Sequence, residues 1–100
     1  MYRGTTPTIT FPLPFDGSGI TALNLCFAQK GEVVLEKDLQ DVTVNGSNLQ
    51  VRLTEAETLL FDHRKGMVEM QLRIGCGEAR VASNIMQVSV GRILKGGCLE

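Results

Sequence analysis

The feature that most constrains this fold is the alternation of apolar and polar residues at every second position. Successive side chains of a β-strand point to opposite faces of a sheet, so this spacing predicts strands that bury one face. The clearest run is VEMQLRI at residues 68–74, where each even position is apolar. Weaker versions occur in TITFPL, ITALNLCFAQ, VVLEK and ARVASNIMQVSV. The pattern predicts about seven short strands.

Residues 42–61, VTVNGSNLQVRLTEAETLLF, predict a β-hairpin followed by a helical turn. Asn45-Gly46 between two alternating runs is a strong hairpin signal. Thr54 and Glu57 then have the spacing of a capping box, which predicts a short helical turn near residues 55–60. One turn is not stable alone. We therefore expect it to cross between two sheets, with three apolar residues closing one end of a sandwich: Leu59, Leu60 and Phe61.

Short strands separated by frequent turn signals, with one helical turn, predict an all-β fold of two antiparallel sheets packed face to face. Pro12 and Pro14 cannot donate ladder hydrogen bonds, so they place the first strand at an edge or end it early. We expect one sandwich domain over residues 1–97. Residues 98–100 are expected to form a C-terminal tail that is partly derived from cloning.

The charge balance disfavours nucleic acid as a partner. Ten basic and eleven acidic residues give a net charge of −1, and the densest positive cluster is His63-Arg64-Lys65, whereas nucleic-acid binders carry an extended basic face. No apolar run approaches the ~20 residues that a membrane-spanning helix needs. The first thirty residues do not have the pattern of a secretory signal peptide. We expect neither membrane insertion nor secretion by a signal peptide.

The residues offer no recognisable catalytic, cofactor or metal site. His63 is the single histidine, and a hydrolytic nucleophile generally needs such a base beside it. Asp62 and His63 are too few to hold a metal ion. The sequence thus predicts a protein that is not an enzyme and has no cofactor.

The three cysteines are widely spaced, which argues against a disulfide framework or a zinc site and predicts free thiols. Cys26 lies in an apolar run and is expected to pack as a small hydrophobic residue. Cys76 lies between two glycines in GCGE, which we expect to form a turn. Cys98 falls in the expected tail.

The few aromatic residues weaken any prediction of sugar binding, since carbohydrate-binding sandwiches commonly stack sugar rings on exposed aromatics. The chain has no Trp, one Tyr and four Phe. Phe11, Phe27 and Phe61 occupy expected core positions. Phe15, between Pro14 and Asp16, is the one aromatic residue whose position is left open between burial and an exposed contact.

Four segments, MYRGTTPTITFPLPFD, FAQKGEVVLEKDL, LTEAETLLF and ASNIMQVSVGRILKGG, resemble small proteins encoded among the tail genes of phages and prophages of Gram-positive gut bacteria. The chain also resembles the N-terminal domain of phage upper-baseplate proteins, in the GEVV hairpin return and the LTEAE turn. The resemblance implies an immunoglobulin-like sandwich. It also implies a non-catalytic tail or baseplate component of the virion, made in the bacterial cytoplasm.

Such a component would bind other phage tail or baseplate proteins, and it could also form homo-oligomers. Candidate contact surfaces are the first strand, at residues 6–14, and the C-terminal segment 91–97. The residues expected to contact a partner are Phe15, Ile93 and Leu94. The alternative function is a cell-surface adhesion or carbohydrate-binding β-sandwich.

Overall fold

A computed structural model describes residues 1–83, 85–91 and 93–94 and shows an all-β sandwich. This described part contains eight strands, one short α-helix and three 3₁₀ turns. The strands are β1 Thr8–Pro12, β2 Ala22–Gln29, β3 Glu32–Asp38, β4 Val42–Asn45, β5 Asn48–Arg52, β6 Val68–Cys76, β7 Ala79–Ala82 and β8 Met86–Val88. Helix α1 is Glu55–Thr58, and the 3₁₀ turns are Gly17–Gly19, Leu39–Asp41 and His63–Lys65. The predicted fold class is confirmed, while an immunoglobulin-like arrangement stays a prediction.

The strands form two antiparallel sheets. One sheet has the order β1-β5-β4, and the other has the order β3-β2-β6-β7, with β8 also paired to β6. Strand β7 pairs with residues 73–76 of β6 and β8 with residues 68–70, so the two short strands follow each other along one side of β6. Strand β1 lies at a sheet edge and ends at Pro12, as its prolines predict.

The apolar core lies between the sheets and is built from the apolar positions of the alternating runs. Its buried members are Phe11, Leu13, Leu23, Leu25, Phe27, Leu49, Val51, Leu53, Phe61, Val68, Met70, Leu72 and Ile74. The rings of Phe27 and Phe61 have centroids 5.9 Å apart at an interplanar angle of 50°, a tilted geometry that aromatic pairs favour. The expected burial of Phe11, Phe27 and Phe61 is confirmed.

Two-residue turns close the hairpins that the sequence predicts. Asn45 pairs with Asn48 across Gly46-Ser47, and Gly46 has a φ of 61°. The β2–β3 hairpin turns at Lys30-Gly31, where the φ values are 51° and 78°. Glycine adopts such positive φ angles without steric penalty.

Helix α1 lies in the connection from β5 to β6, one of three connections that pass from one sheet to the other. Thr54 Oγ1 accepts a hydrogen bond from the Glu57 N–H at 3.1 Å, and a carboxylate oxygen of Glu57 accepts one from the Thr54 N–H at 2.8 Å, so the predicted capping box is present. The helix spans only Glu55–Thr58. Phe61 is buried behind it and Leu59 is half-buried. The expectation that Leu60 also closes the sandwich is wrong, because its side chain is 55% exposed.

The last predicted run is divided between β7 and β8. The turn before it lies at Gly77-Glu78, so Cys76 is the final residue of β6 and the expected GCGE turn starts two residues too early. Ser83 continues the ladder beyond β7: its N–H donates to the Leu72 carbonyl at 2.8 Å, and its hydroxyl accepts from the Leu72 N–H at 3.0 Å.

No helix in the described ranges is long and apolar enough to cross a membrane. The expected domain boundary at residue 97, the tail 98–100 and Cys98 lie outside the described residues.

Candidate docking surface

Strand β7 is an open edge of the five-stranded sheet. All four of its residues are exposed. Since the Ser83 N–H bonds to β6, the alternation of a strand also directs the backbone groups of Val81 toward β6 and those of Arg80 and Ala82 away from it. No strand lies beyond β7 in the part of the chain that the structure describes. The N–H and C=O groups of Arg80 and Ala82 are therefore positioned to pair with an added strand.

The segment that follows β8 already has a partner in residues 1–3. The Met1 ammonium donates to the Ser89 carbonyl at 2.8 Å, and the Gly91 N–H donates to the Met1 carbonyl at 2.6 Å. Tyr2 pairs with Gly91, where a Cβ would lie 2.3 Å from the tyrosine ring. This pairing involves residues 89–91 and leaves the outer edges of β7 and β8 without a partner strand among the described residues.

A groove of about 400 Å³ lies beside β7 on the outer face of the sheet. Its floor contains the small residues Ala22 and Gly75, which pair on adjacent strands, and Arg80 pairs with Gly75 on the other side. A Cβ on Gly75 would lie 3.1 Å from an Arg80 guanidinium nitrogen and 3.2 Å from the Ala22 Cβ. The absence of a side chain at Gly75 thus creates the depression under Arg80.

Arg73 and Arg80 give the groove positive charge. One Arg80 guanidinium nitrogen donates to the carbonyls of Gly77 at 2.7 Å and Ala79 at 2.9 Å, which holds this side chain over the hairpin turn. The ion pairs among the described residues are Lys37–Glu57 and Arg64–Asp62. Neither groove arginine has a carboxylate partner within that part of the chain, so an acidic group is the occupant that the charges favour.

Cys26 lies near the groove, on the polar outer face of β2. Its thiol donates to the Asn24 side-chain oxygen, with sulfur and oxygen 3.0 Å apart, and to a Glu36 carboxylate oxygen at 3.7 Å. The expected apolar packing of Cys26 is therefore wrong. Burial, with the nearby Glu36 carboxylate, raises the pKa of the Cys26 thiol, which lowers the fraction of reactive thiolate.

The three predicted partner contacts do not form one surface. Phe15 is half-buried against the core, close to Gly17, whose N–H donates to the Gly46 carbonyl at the turn before β5. Ile93 is half-buried and lies near Gly4, by the helix at the opposite end of β5. Leu94 is 94% exposed. The remainder of the predicted docking segment, Arg92 and residues 95–97, lies outside the described residues.

The described residues contain no group of three or more His, Cys, Asp or Glu side chains that could hold a metal ion. No protein-family model matches the chain, and comparison with curated proteins and with solved structures found no match.

Proposed function

We propose that this domain is a non-catalytic docking module that binds another protein by strand addition at β7. The observation that carries the proposal is the open β7 edge, with outward backbone groups at Arg80 and Ala82 beside a positive groove. Exposed strand edges readily pair with other chains, and proteins commonly cover or block them.

An added strand would gain affinity from the backbone and specificity from its side chains. Each new backbone hydrogen bond contributes about 1 kcal/mol net. Val81, which is 47% exposed, offers apolar contact at the same edge. An acidic side chain of the partner would lie over the groove, within reach of Arg73 and Arg80.

The sequence resemblance supports a place for this module in a phage tail or baseplate, where the partner is another tail protein. Virion assembly depends on stable contacts between proteins, and strand addition supplies such contacts without turnover. No aromatic residue lines the groove among the described residues, so the groove gives no support to the carbohydrate-binding alternative.

The test compares one proline substitution at each of two sheet edges. Ala82→Pro removes an outward N–H from β7 and leaves the β6 ladder intact, since edge strands tolerate proline where the N–H faces solvent. Thr10→Pro is the matched control in β1. Leu13 donates to Ser47 and Pro7 accepts from Leu53, the two residues that flank β5, so the N–H of Thr10 also points outward.

Binding should be measured by calorimetry against purified tail proteins encoded by neighbouring genes, with light scattering to detect self-association. We expect Ala82→Pro to weaken binding at least about tenfold, through a lost hydrogen bond and a steric clash, and Thr10→Pro to change it less than about twofold. If Thr10→Pro weakened binding and Ala82→Pro did not, the docking site would be at β1 instead. Equal binding by wild type and both variants, with unchanged thermal unfolding, would overturn strand addition.

A further inference from the structure

The five-stranded sheet has a second open edge, at β3. Strands β3 and β7 stand at the two ends of the order β3-β2-β6-β7, and no strand lies beyond β3 among the described residues. Each neighbouring pair of strands in this order is antiparallel, so β3 and β7 run in opposite directions. A second copy of the chain in the same orientation would therefore bring its β3 antiparallel to β7 and extend the sheet.

The backbone groups of Glu36 point out of the β3 edge. The β2–β3 hairpin closes at Gln29 with a hydrogen-bonded pair, as its two-residue turn requires. Counting back along β2 in steps of two, residues 25 and 27 also bond to β3, whereas Cys26 faces the other way. Glu36 pairs with Cys26, so its N–H and C=O point away from β2. Asp38, two residues further on, has the same orientation, and both acidic side chains are exposed.

The β3 edge is acidic where the β7 edge is basic. Neither Glu36 nor Asp38 belongs to an ion pair within the described ranges, and Lys37, the one cation of β3, is already paired with Glu57. The exposed carboxylates of β3 are therefore complementary in charge to the two groove arginines beside β7.

We propose that β3 of a second copy of this chain pairs with β7, so that copies associate head to tail. This inference rests on the docking proposed at β7 and identifies the strand that binds there. The partner's Glu36 would pair with Ala82, and the partner's Asp38 with Arg80. Because Ala82 is small, Arg73, its neighbour on β6, has room to reach the partner's Glu36. Cross-strand pairs of opposite charge stabilise a sheet.

The same charges disfavour symmetric pairing of like edges. Two β7 edges would bring the arginines of both copies together, and two β3 edges would bring the carboxylates together, which like-charge repulsion opposes. A head-to-tail contact uses a different surface on each copy, so it gives a ring or an open chain instead of a closed dimer. The copy at one end of an open chain keeps a free β7 edge, which leaves that edge for another tail protein.

The contact is expected to be weak because it is short. The Asp38 N–H already donates to the Asp41 carboxylate at 3.0 Å. A register shift lies opposite residues 27 and 28 of β2, and such a bulge bends the strand away from a straight ladder. Pairing is thus confined to residues 36–38 and 80–82, with few backbone hydrogen bonds. We expect a dissociation constant of about 1 mM.

The test uses NMR with complementary edge variants. Ala82→Pro blocks β7 and keeps β3, whereas Glu36→Pro blocks β3 and keeps β7, and at both positions the N–H faces outward, where proline is tolerated. In isotope-labelled Glu36→Pro, addition of unlabelled Ala82→Pro should shift the β7 amides saturably, and addition of unlabelled Glu36→Pro should not. Wild type and the control Thr10→Pro should show shifts at both edges and slower diffusion as concentration rises.

Charge reversal tests the same contact without proline. Glu36→Lys keeps the backbone donors and should weaken self-association about fivefold, because it places like charges together. Glu32→Lys, at an exposed position of the same strand, is the matched control. Its backbone bonds to β2, and it should weaken self-association less than about twofold.

Two results would overturn the head-to-tail contact. One is self-association that survives Glu36→Pro and Glu36→Lys but not Ala82→Pro, since β7 would then pair with itself. The other is the absence of any concentration-dependent shift in wild type up to about 2 mM. Neither result affects the binding of tail proteins at β7, which the calorimetric comparison of Ala82→Pro with Thr10→Pro decides separately.

Discussion

The β1 and β7 edges differ in how readily an incoming strand can pair with them. Pro7, Pro12 and Pro14 lie in or beside β1, and two of its outward-directed residues are threonines, Thr8 and Thr10. Strand β7 contains no proline and has outward backbone groups at Arg80 and Ala82 beside the groove. Proline protects an edge by removing donors. The comparison indicates that prolines limit strand addition at β1, whereas no proline limits it at β7.

The largest expected loss of stability tests whether β1 and β7 are stabilised by the same core. Phe27→Ala removes a fully buried ring that packs on Phe61, and should lower the free energy of unfolding by about 3–5 kcal/mol. Urea unfolding should be followed by circular dichroism and by NMR signals of β1 and β7. Val33→Ala, at a side chain 55% exposed, should change stability by less than about 0.5 kcal/mol. Separate midpoints for β1 and β7 would show that the two edges unfold independently.

A smaller loss of stability should affect β1 more than β7. The buried Thr58 hydroxyl accepts a hydrogen bond from the Thr5 N–H at 3.1 Å and donates one to the Thr5 carbonyl at 3.0 Å. Thr58→Val keeps the shape but leaves that N–H unpaired, at a cost of about 1–3 kcal/mol. Amide exchange should rise more in β1 than in β7. Thr43→Val, at an exposed position, is the control, and equal acceleration in both edges would contradict this local role.

The smallest expected loss of stability concerns β3, the sheet edge opposite β7. An ion pair between Lys37 of β3 and Glu57 links this strand to helix α1. Burial alone raises the pKa of the Glu57 carboxyl, but hydrogen bonds from Lys37 and Thr54 outweigh it and hold the pKa below its ordinary value of 4.5. A lowered folded-state pKa stabilises the protein above the unfolded-state pKa, and this contribution disappears as pH falls through the folded-state pKa.

Glu57→Gln should therefore lower the free energy of unfolding by about 1 kcal/mol at neutral pH, and by less near pH 3. Urea unfolding at both pH values checks this, with Glu32→Gln, at an exposed position of β3, as the control. If wild type and Glu57→Gln differ in free energy of unfolding by the same amount at both pH values, the ion pair is not the source of that difference.

Local rules explain what the sequence predicts well. The hairpin over residues 42–53 needs only alternation and a Gly46 turn, and the cap at Thr54 needs only Glu57 three residues later. Both depend on neighbours within a few positions, so one sequence is sufficient. The strands at Val68–Cys76 and Ala22–Gln29 follow in the same way, since apolar residues alternate along both, apart from the buried Gln29 at the end of β2.

The errors occur where a residue's environment is set by distant chain segments. Leu60 follows a helix of only four residues, which is too short to fix which apolar residue faces the core, and the neighbouring Leu59 carbonyl accepts a hydrogen bond from the distant Arg3. Cys26 belongs to an apolar run but takes the outer face of β2, where Glu36 of the next strand meets it. Apolar character alone could not settle either position.

The groove could not be predicted because it depends on register across three strands. Ala22, Gly75 and Arg80 are far apart in sequence and meet only when β2, β6 and β7 pair as they do. The local signal is Gly75 in GCGE, and a glycine there is equally typical of an ordinary turn or a weak strand. The cleft between Arg3 and residues 59–65 likewise forms only where these two distant segments meet.

The buried amide of Gln29, at the end of β2, makes three hydrogen bonds to Asp62 and Gly66 in the loop between α1 and β6. Opening this loop therefore requires breaking contacts of a strand at the centre of the larger sheet, so loop and sheet form a single cooperative unit. Any molecule that occupies the cleft between Arg3 and residues 59–65 only when the loop is folded will consequently raise the melting temperature of the whole domain.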